Sequence, residues 1–477
     1  MKCKLSIVVV AMVALLSFAA MAQDVDHAAG KATNGTTPQA ATRPAPDWVV
    51  PEGSVERPED AGVRAHANIV FRSLDGTEKP THISSPAEIP NFGPLTNNQV
   101  EQTPQSLGCI YLDSPKSTGC VPNYGKSHGP SAGGSGAIAL IEAGDDPTAA
   151  TDLKTFDTYW GLPAATFVKI AMTNSCSYPP ACSNFGWCAE DALDEEYAHV
   201  YASKATIIMV EACSSSYTDL LAAEEAAFQY IATNYVQGQV SNSWGSGEFS
   251  SEGSYNADFA TWGYGLYGYA ITAFASAGDS GCGAAYPSSN PWLVSAGGSS
   301  IYNNASGEAF VSEGCWSGSG GGNSAYVTWA PGTGPGFNGD YMGPWTDYQY
   351  PIFGEYNRQT PDFGFNSDPD SGVALYSLTA FGGWSCCWGG TSEASPSLAA
   401  IVNRAENKLS TCYFNAVNGT CYFTNAEDNL LYSQLPTQTA YSVNFYSPNS
   451  GSNGCTVAGP GWDYCTGVGT PRGILGK

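Results

Sequence analysis

The sequence predicts an α/β fold of three layers, with a mainly parallel central sheet flanked by helices, and two observations carry that reading. The 477 residues, 43% of them hydrophobic and 12% aromatic, suffice to bury an enzyme-sized core. From Gly136 onward, apolar runs of strand length alternate with stretches of helical periodicity. The run Ala-Ile-Ala-Leu-Ile at 137–141 has no polar face and reads as a buried strand, and a helical pattern follows at 148–159. A helix at 190–201, a strand at 206–210, a helix at 218–235 and strands at 239–243 and 271–276 continue the alternation. Sheets of this kind hold ligands at the carboxyl ends of their strands, so the chemistry is sought in the loops that follow them. Residues 298–389, dense in Gly, Ser and aromatics, read as long loops with few regular elements. A last helix at 395–409 opens with Pro396 near its first position and leaves Ser392 just before its N-terminus.

Upstream, Lys2 and Lys4, the apolar stretch 5–19 and the small-x-small triplet Ala20-Met21-Ala22 give residues 1–22 the form of a signal peptide cut after Ala22. The apolar stretch is shorter than the ~20 residues of a membrane span, so no membrane association is expected after its removal. Residues 23–108 are polar and Pro-rich and read as a short N-terminal or pro-segment with little to build a core, which leaves 109–477 as the folded domain. With 18 Lys and Arg against 43 Asp and Glu, the net charge of -25 repels phosphate backbones and excludes nucleic acid as a partner. Such a composition suits acidic surroundings, where protonated carboxyls leave few cations to repel one another. A secreted monomer is expected.

Loss of Cys3 with the signal leaves 14 of the 15 cysteines, an even number that fits disulfides in an exported protein. Cys109 with Cys120, Cys412 with Cys421, and Cys455 with Cys465 are near neighbours that could close small loops. The pairing within the cluster Cys176, Cys182 and Cys188 stays open. Zinc is the weaker reading, since Cys386 and Cys387 are adjacent and no CxxC occurs.

A serine nucleophile needs a base for its proton and donors for the oxyanion, and a helix N-terminus supplies part of the latter. Ser392 has that position, although a lone Ser before a helix is more often a cap. None of His27, His66, His82, His128 and His199 stands in a recognisable catalytic context. Carboxylates are the alternative. Glu190 and Asp194, four residues apart, share one helix face, which with Asp191, Glu195 and Glu196 could equally be a solvated acidic surface. Asp279 directly follows the strand 271–276; protonated, it could donate to an oxyanion, and beside glycine it could also simply form a turn.

These sites together resemble the sedolisins, the serine-carboxyl peptidases of subtilisin-like fold. The matching text is Glu-Asp-Ala-Leu-Asp at 190–194, Gly-Asp-Ser-Gly at 278–281 and Gly-Thr-Ser at 390–392, supported by Val-Ser-Asn-Ser-Trp-Gly at 240–245 and Thr-Pro-Asp-Phe-Gly-Phe at 360–365. The resemblance runs from about residue 136 to the end. It implies a sedolisin-like peptidase domain acting on protein or peptide substrates, with Ser392 as nucleophile, Glu190 as general base, Asp194 orienting Glu190, and Asp279 as oxyanion donor. A Glu accepts protons in mildly acidic water where His is already charged, and Asp279 donates only while neutral, so activity is expected to rise below about pH 6. Gly-Pro-Gly-Trp-Asp at 459–463 resembles the family's calcium loop, with Gly459, Gly461 and Asp463 as ligands; Ser447 and Pro448 stand where the resemblance expects a second carboxylate. The family's pro-domains are usually longer than the segment here.

Three rivals remain. Ser280 in Gly-Asp-Ser-Gly could be a chymotrypsin-like nucleophile, but that class is all-β and needs a His in its own motif. Paired carboxylates could serve a glycosidase. A catalytically inactive, sedolisin-like binding protein would keep the aromatic loops, and the intact Glu190, Asp194, Asp279 and Ser392 argue against it.

Overall fold

The computed structural model describes residues 48–477 except 75–76, 93–97, 113–119, 126–128, 257–258, 260–270, 307–308, 329–347, 356, 406–411, 416–419, 424–425 and 436–437, with backbone alone at 91–92, 412–415, 420–423, 426 and 438–440. The expected signal peptide, His27, His128 and the side chains of Cys412 and Cys421 lie outside the described residues.

Strands β1 (Trp48–Val49), β2 (His66–Ala67), β3 (Val70–Arg72) and β4 (Thr81–Ile83) and helix α1 (Pro104–Tyr111) all come from the stretch expected to be poor in core. That stretch belongs to one compact unit with everything that follows, Pro46–Lys477. Ala65, Ile69, Phe71, Ile83, Leu107 and Ile110 are buried in the shared core. The expectation of a core-poor arm therefore needs correcting from residue 48 on. Strands of two or three residues show no periodicity in sequence, and these are held by a partner some three hundred residues away: β3 and β4 both pair with Gly383–Gly389.

Strands β5 (Ala137–Ala143), β6 (Thr166–Ala171), β7 (Thr206–Ala212) and β8 (Gly238–Asn242) follow, then β9 (Trp244–Gly247), β10 (Ile271–Ser276), β11 (Ala285–Tyr286) and β12 (Leu293–Asn303). The remaining strands that matter here are β13 (Phe310–Cys315), β14 (Gly322–Thr328), β15 (Asn357–Thr360), β16 (Phe363–Asn366), β17 (Val373–Ser377) and β18 (Gly383–Gly389). The central sheet has the order β13-β12-β10-β8-β5-β7-β6, with β16 also beside β12. Its pairings are parallel except for β12 with β13. Helices α3 (Cys188–Tyr201) and α5 (Thr391–Ala405) pack on each other and on the sheet, α2 (Ala149–Trp160) packs against α3 and β17, and α4 (Tyr217–Asn234) packs against β5, β7 and β8. This is the α/β arrangement, a mainly parallel sheet flanked by helices, expected from the alternation of elements.

Residues 298–389 differ from expectation, for they carry β13 to β18 and most of β12 rather than mainly loops. These strands are glycine-rich because neighbours crowd them: a Cβ on Gly298 would sit 2.8 Å from both the Trp316 ring and the Ser367 side chain. Helix α5 also begins earlier than expected, at Thr391, which puts Ser392 in its first turn and Pro396 inside it. Proline cannot donate to the carbonyl four residues back. Here that carbonyl belongs to Ser392, and the Ser243 hydroxyl lies 3.4 Å from it.

Cys109–Cys120 forms as expected, and the open cluster resolves into Cys182–Cys188 and Cys176–Cys213. The expected pair Cys455–Cys465 is replaced by Cys282–Cys455 and Cys315–Cys465, which span 173 and 150 residues. Closeness in sequence was a poor guide there, because the terminal loop is stitched to the strand region behind it. Cys386 and Cys387 are bonded to each other. No described helix is long and apolar enough to cross a membrane.

Candidate active site

The polar residues of interest converge where the parallel strands end, as the topology requires. Glu142 is the last residue but one of β5, Ser243 links β8 to β9, Asp279 follows β10, and Ser392 lies in the first turn of α5. Glu190 and Asp194 come from α3, every residue of which is buried. The acidic surface that Asp191, Glu195 and Glu196 could have formed is thus interior.

The Ser243 hydroxyl donates to Asp194 Oδ1 at 2.8 Å, and the Ser392 hydroxyl donates to the Ser243 carbonyl at 3.1 Å. Neither Glu190 oxygen meets hydrogen-bonding geometry, although Ser392 lies near enough to favour the Glu190 anion; the hydroxyl is turned to Ser243 instead. Burial, and next the charge of Asp194, push the Glu190 carboxyl well above its usual range. Burial raises Asp194 to about 8, against hydrogen bonds from Ser243 and Glu142. Glu142 is pushed up in the same way by burial and then by Asp194, Asp191 and Glu190. Each member of this chain of carboxyls keeps its proton to higher pH than an exposed acid would.

Asp279 is held by α5. The Thr391 amide and hydroxyl donate to its Oδ1 at 2.7 and 2.8 Å, and Oδ2 is shielded from water without a partner. The residue as a whole is only half-buried, but its carboxyl is enclosed, and that burial raises it to about 7 in spite of Thr391. Neutral Asp279 therefore has one oxygen fixed as acceptor and the other free to carry and donate a proton.

Ser392 has no exposed surface, and part of what covers it is the chain's own N-terminal stretch. The Ser392 amide donates to the Asn68 carbonyl at 3.0 Å, and the Asn68 amide donates to the Ser243 carbonyl at 3.1 Å. Gly390, at φ +109, has to be glycine here: a Cβ would run into the Asn68 carbonyl and come within 2.6 Å of Asp279 Oδ2. A peptide carbonyl and the unpartnered acid oxygen thus face the same point.

Of the described histidines, buried His199 contacts Asp157 at 2.8 Å, His66 Nε2 lies 3.8 Å from Glu56, and His82 sits on β4; none of the described hydrogen bonds ties one to Ser392. Ser280 is exposed.

No family model matches the chain. Kumamolisin from Bacillus sp. (strain MN-32) is 26% identical over 364 residues, which are 71% of this chain and 58% of that relative. The chain accordingly spans less than two thirds of that relative's length. A Pseudomonas sedolisin (serine-carboxyl proteinase), solved with two molecules of pseudo-iodotyrostatin, shares the fold with a TM-score of 0.55 at 21% identity, covering 78% of this chain and 96% of that one. The chain is thus similar to kumamolisin in sequence and to a sedolisin in fold.

In this chain the expected calcium loop is occupied by the protein's own donors. The Ser447 hydroxyl donates to the Gly459 carbonyl at 2.8 Å, and the Tyr441 hydroxyl to the Gly461 carbonyl at 3.1 Å. Asp463 Oδ1 accepts from the Cys465 and Thr466 amides, each at 2.8 Å, and the Thr466 hydroxyl stands 3.3 Å from both carboxylate oxygens. Buried Pro448 has only a backbone carbonyl to offer. Oxygens that would face a cation face hydrogens instead, so the residues present do not fit calcium. Two other groupings of metal-type side chains draw their sulfur from Cys182 and from Cys386 and Cys387, all in disulfides and so not thiolates.

Sequence reasoning missed Glu142, Ser243, Thr391 and the covering stretch. Glu142 left a readable signal, an acid next to the carboxyl end of an otherwise apolar strand. Ser243 lay within a quoted motif without an assigned role. Nothing local marks Asn68.

Proposed function

We propose that this chain is a secreted, acid-acting endopeptidase or tripeptidyl-peptidase of the sedolisin type that hydrolyses protein or peptide substrates through an acyl-enzyme on Ser392. One observation carries the reading: a peptide carbonyl, that of Asn68, accepts from the Ser392 amide beside the unpartnered Oδ2 of Asp279. Ser392 Oγ attacks such a carbonyl and passes its proton to Glu190. The oxyanion is held by the Ser392 amide, at the positive end of α5, and by neutral Asp279. Glu190 then protonates the leaving amine, and a water deprotonated by Glu190 releases the acyl group. Asp194, fixed by Ser243, orients Glu190, with Glu142 behind it as a further proton-holding partner.

The base must be ionised and Asp279 neutral, so the working window is bounded on its alkaline side by Asp279, at about 7. Glu190 is desolvated while residues 65–71 lie over the site, and water entering an emptied cleft brings its ionisation down toward the acidic range. Residues 1–22 act as the signal peptide, and the stretch that follows as a pro-segment closing the cleft. The described disulfides suit an oxidising compartment.

Casein hydrolysis at pH 4 by the protein and its Ser392→Ala variant tests this. A loss of about 10⁴-fold or more is expected in the variant, with an unchanged circular dichroism spectrum. Full turnover by the variant would refute the assignment.

A further inference from the structure

The loop whose residues do not fit calcium reaches the active centre by another route. Asp279 sits in a turn, 277–283, that leaves β10 and is gripped from two sides. On one side is α5, where the Gly278 amide donates to the Thr391 hydroxyl at 3.0 Å, next to the two bonds from Thr391 to Asp279. On the other side stand residues 318–321 and the terminal loop. The Gly281 amide donates to the Gly318 carbonyl at 2.9 Å, the Gly320 amide to the Gly278 carbonyl at 2.6 Å, and the Cys282 amide to the Asn453 carbonyl at 2.8 Å. Gly281, at φ +76, has no room for a Cβ, which would come within 2.9 Å of that same Asn453 carbonyl oxygen. Buried Asn453 is itself fixed, its Nδ2 donating to the Ser319 and Tyr464 carbonyls at 3.1 and 2.6 Å. Just beyond it, Cys455 closes the contact covalently with Cys282, only three residues from Asp279.

Two disulfides enter the terminal loop, and they differ in exposure. Cys315–Cys465 is interior: both cysteines are buried, the Cys315 amide donates to the Ser450 carbonyl at 2.7 Å, and the Cys465 carbonyl accepts from the Gly298 amide at 3.1 Å. Cys282 is exposed and Cys455 half-buried, and among the described disulfides theirs alone contains no buried cysteine. Thiol–disulfide exchange needs access to a sulfur, so a reductant meets the bridge beside Asp279 first. The buried bridge keeps the loop in place while the turn is released on that side.

We propose that the Cys282–Cys455 bridge positions Asp279 beside the oxyanion, and that a dithiol which opens it lowers peptidase activity reversibly without unfolding the protein. The proposal rests on the peptidase reading above. One thiolate of the dithiol attacks a bridge sulfur, the S–S bond breaks, and the departing sulfur takes a proton. The second thiolate then displaces the remaining protein sulfur from the mixed disulfide. Cys282 and Cys455 end as thiols, having gained two electrons and two protons between them, and the dithiol leaves oxidised as its own disulfide. Asp279 donates to charge that develops in the transition state, and a displacement of about 1 Å in such a group can cost about 10²-fold. Thr391 still holds one oxygen of Asp279, so a smaller loss follows, about tenfold in kcat with KM nearly unchanged.

The test compares the parent with a variant carrying both Cys282→Ser and Cys455→Ser, on casein at pH 4. The kcat should fall about tenfold, with KM within about twofold of the parent's. The same two changes made in Asp279→Ala should lower its remaining activity by less than about twofold, because no donor is left to position, whereas loss of folded protein lowers both backgrounds alike. The parent chain, treated with dithiothreitol at about pH 8 and then with iodoacetamide, should carry its first two labels on Cys282 and Cys455 by peptide mass mapping and show the same fall in kcat. Without iodoacetamide, reoxidation should restore the rate. A bridge-free variant with the parent's kcat, an equal proportional loss in the Asp279→Ala background, or first labels on other cysteines overturns this inference and leaves the peptidase reading standing. A parent protein that does not hydrolyse casein overturns both.

Discussion

Two acid-bearing regions of this molecule treat their carboxylates in opposite ways. Around Ser392, Glu190 and one oxygen each of Asp194 and Asp279 are buried without a well-formed hydrogen bond. In the terminal loop Asp463 is enclosed as well, yet amides and a hydroxyl crowd its oxygens. Burial raises the pKa in both places, but at Asp463 the Thr466 and Cys465 amides pull it back. Leaving a buried acceptor unmet is costly, and a structure keeps such sites where a proton or a substrate is to fill them. The first region is reserved for chemistry, and the second has spent its acceptors on holding a loop in shape.

The sharpest way to break this contrast is to remove the reserved groups. Glu190→Gln keeps shape and removes the base, and a loss of about 10³- to 10⁴-fold in kcat is expected on a small peptide substrate. Asp279→Ala removes one oxyanion donor and should cost about 10²- to 10³-fold in kcat. Asp279→Asn separates the role from the residue. Its amide donates at any pH, so the alkaline fall near pH 7 should move upward even if peak activity drops. An unchanged alkaline limb in that variant would count against Asp279 as the titrating donor.

Stability should show the same contrast across the whole molecule. Asp279 at about 7, and Asp194, Glu252 and Glu427 at about 8, are all raised by burial. The native state therefore keeps protons that the unfolded chain, with ordinary values near ~4, has already released. This contribution is complete below about pH 4 and is lost as pH rises through 7 to 8, so Tm is expected to fall by about 10 °C or more between pH 4 and pH 8. A Tm that rises over that interval would mean these carboxyls are ionised and paired in the native protein.

The sequence was legible where periodicity and position agree. The apolar run of β5 and the helix of Glu190 and Asp194 announce themselves, and the strand before Asp279 places that acid at a site-forming end of the sheet. It was illegible where structure depends on a distant partner. The four residues of Trp244–Gly247 become a strand because Ala285–Tyr286 and the distant His66–Ala67 lie on either side of them. The Gly- and Ser-rich strands β12 to β18 lack the β-branched alternation that marks strands, since close packing against backbone and aromatic rings replaces it. The start of α5 was misplaced because Pro396 looked like a first-turn residue, whereas it stands inside the helix that begins at Thr391.

The smallest expected effect tests the other side of the contrast. If donors already fill the loop at 447–467, a chelator has nothing to remove, and the Tm measured with and without it should agree within about 1 °C. The stronger form reverses the chemistry. Ser447→Asp exchanges the hydroxyl that donates to the Gly459 carbonyl for a carboxylate, leaving that carbonyl free and placing a second negative charge near Asp463. Two carboxylates and two freed or freeable carbonyls form an oxygen set that a hard cation can use. The variant should then be less stable than the parent without metal and gain several degrees from millimolar calcium, whereas the parent gains none. A parent protein that loses stability on chelation would show that the Ser447 and Tyr441 hydroxyls turn away to admit an ion, and the loop would join the active centre as a place where acceptors are held in reserve.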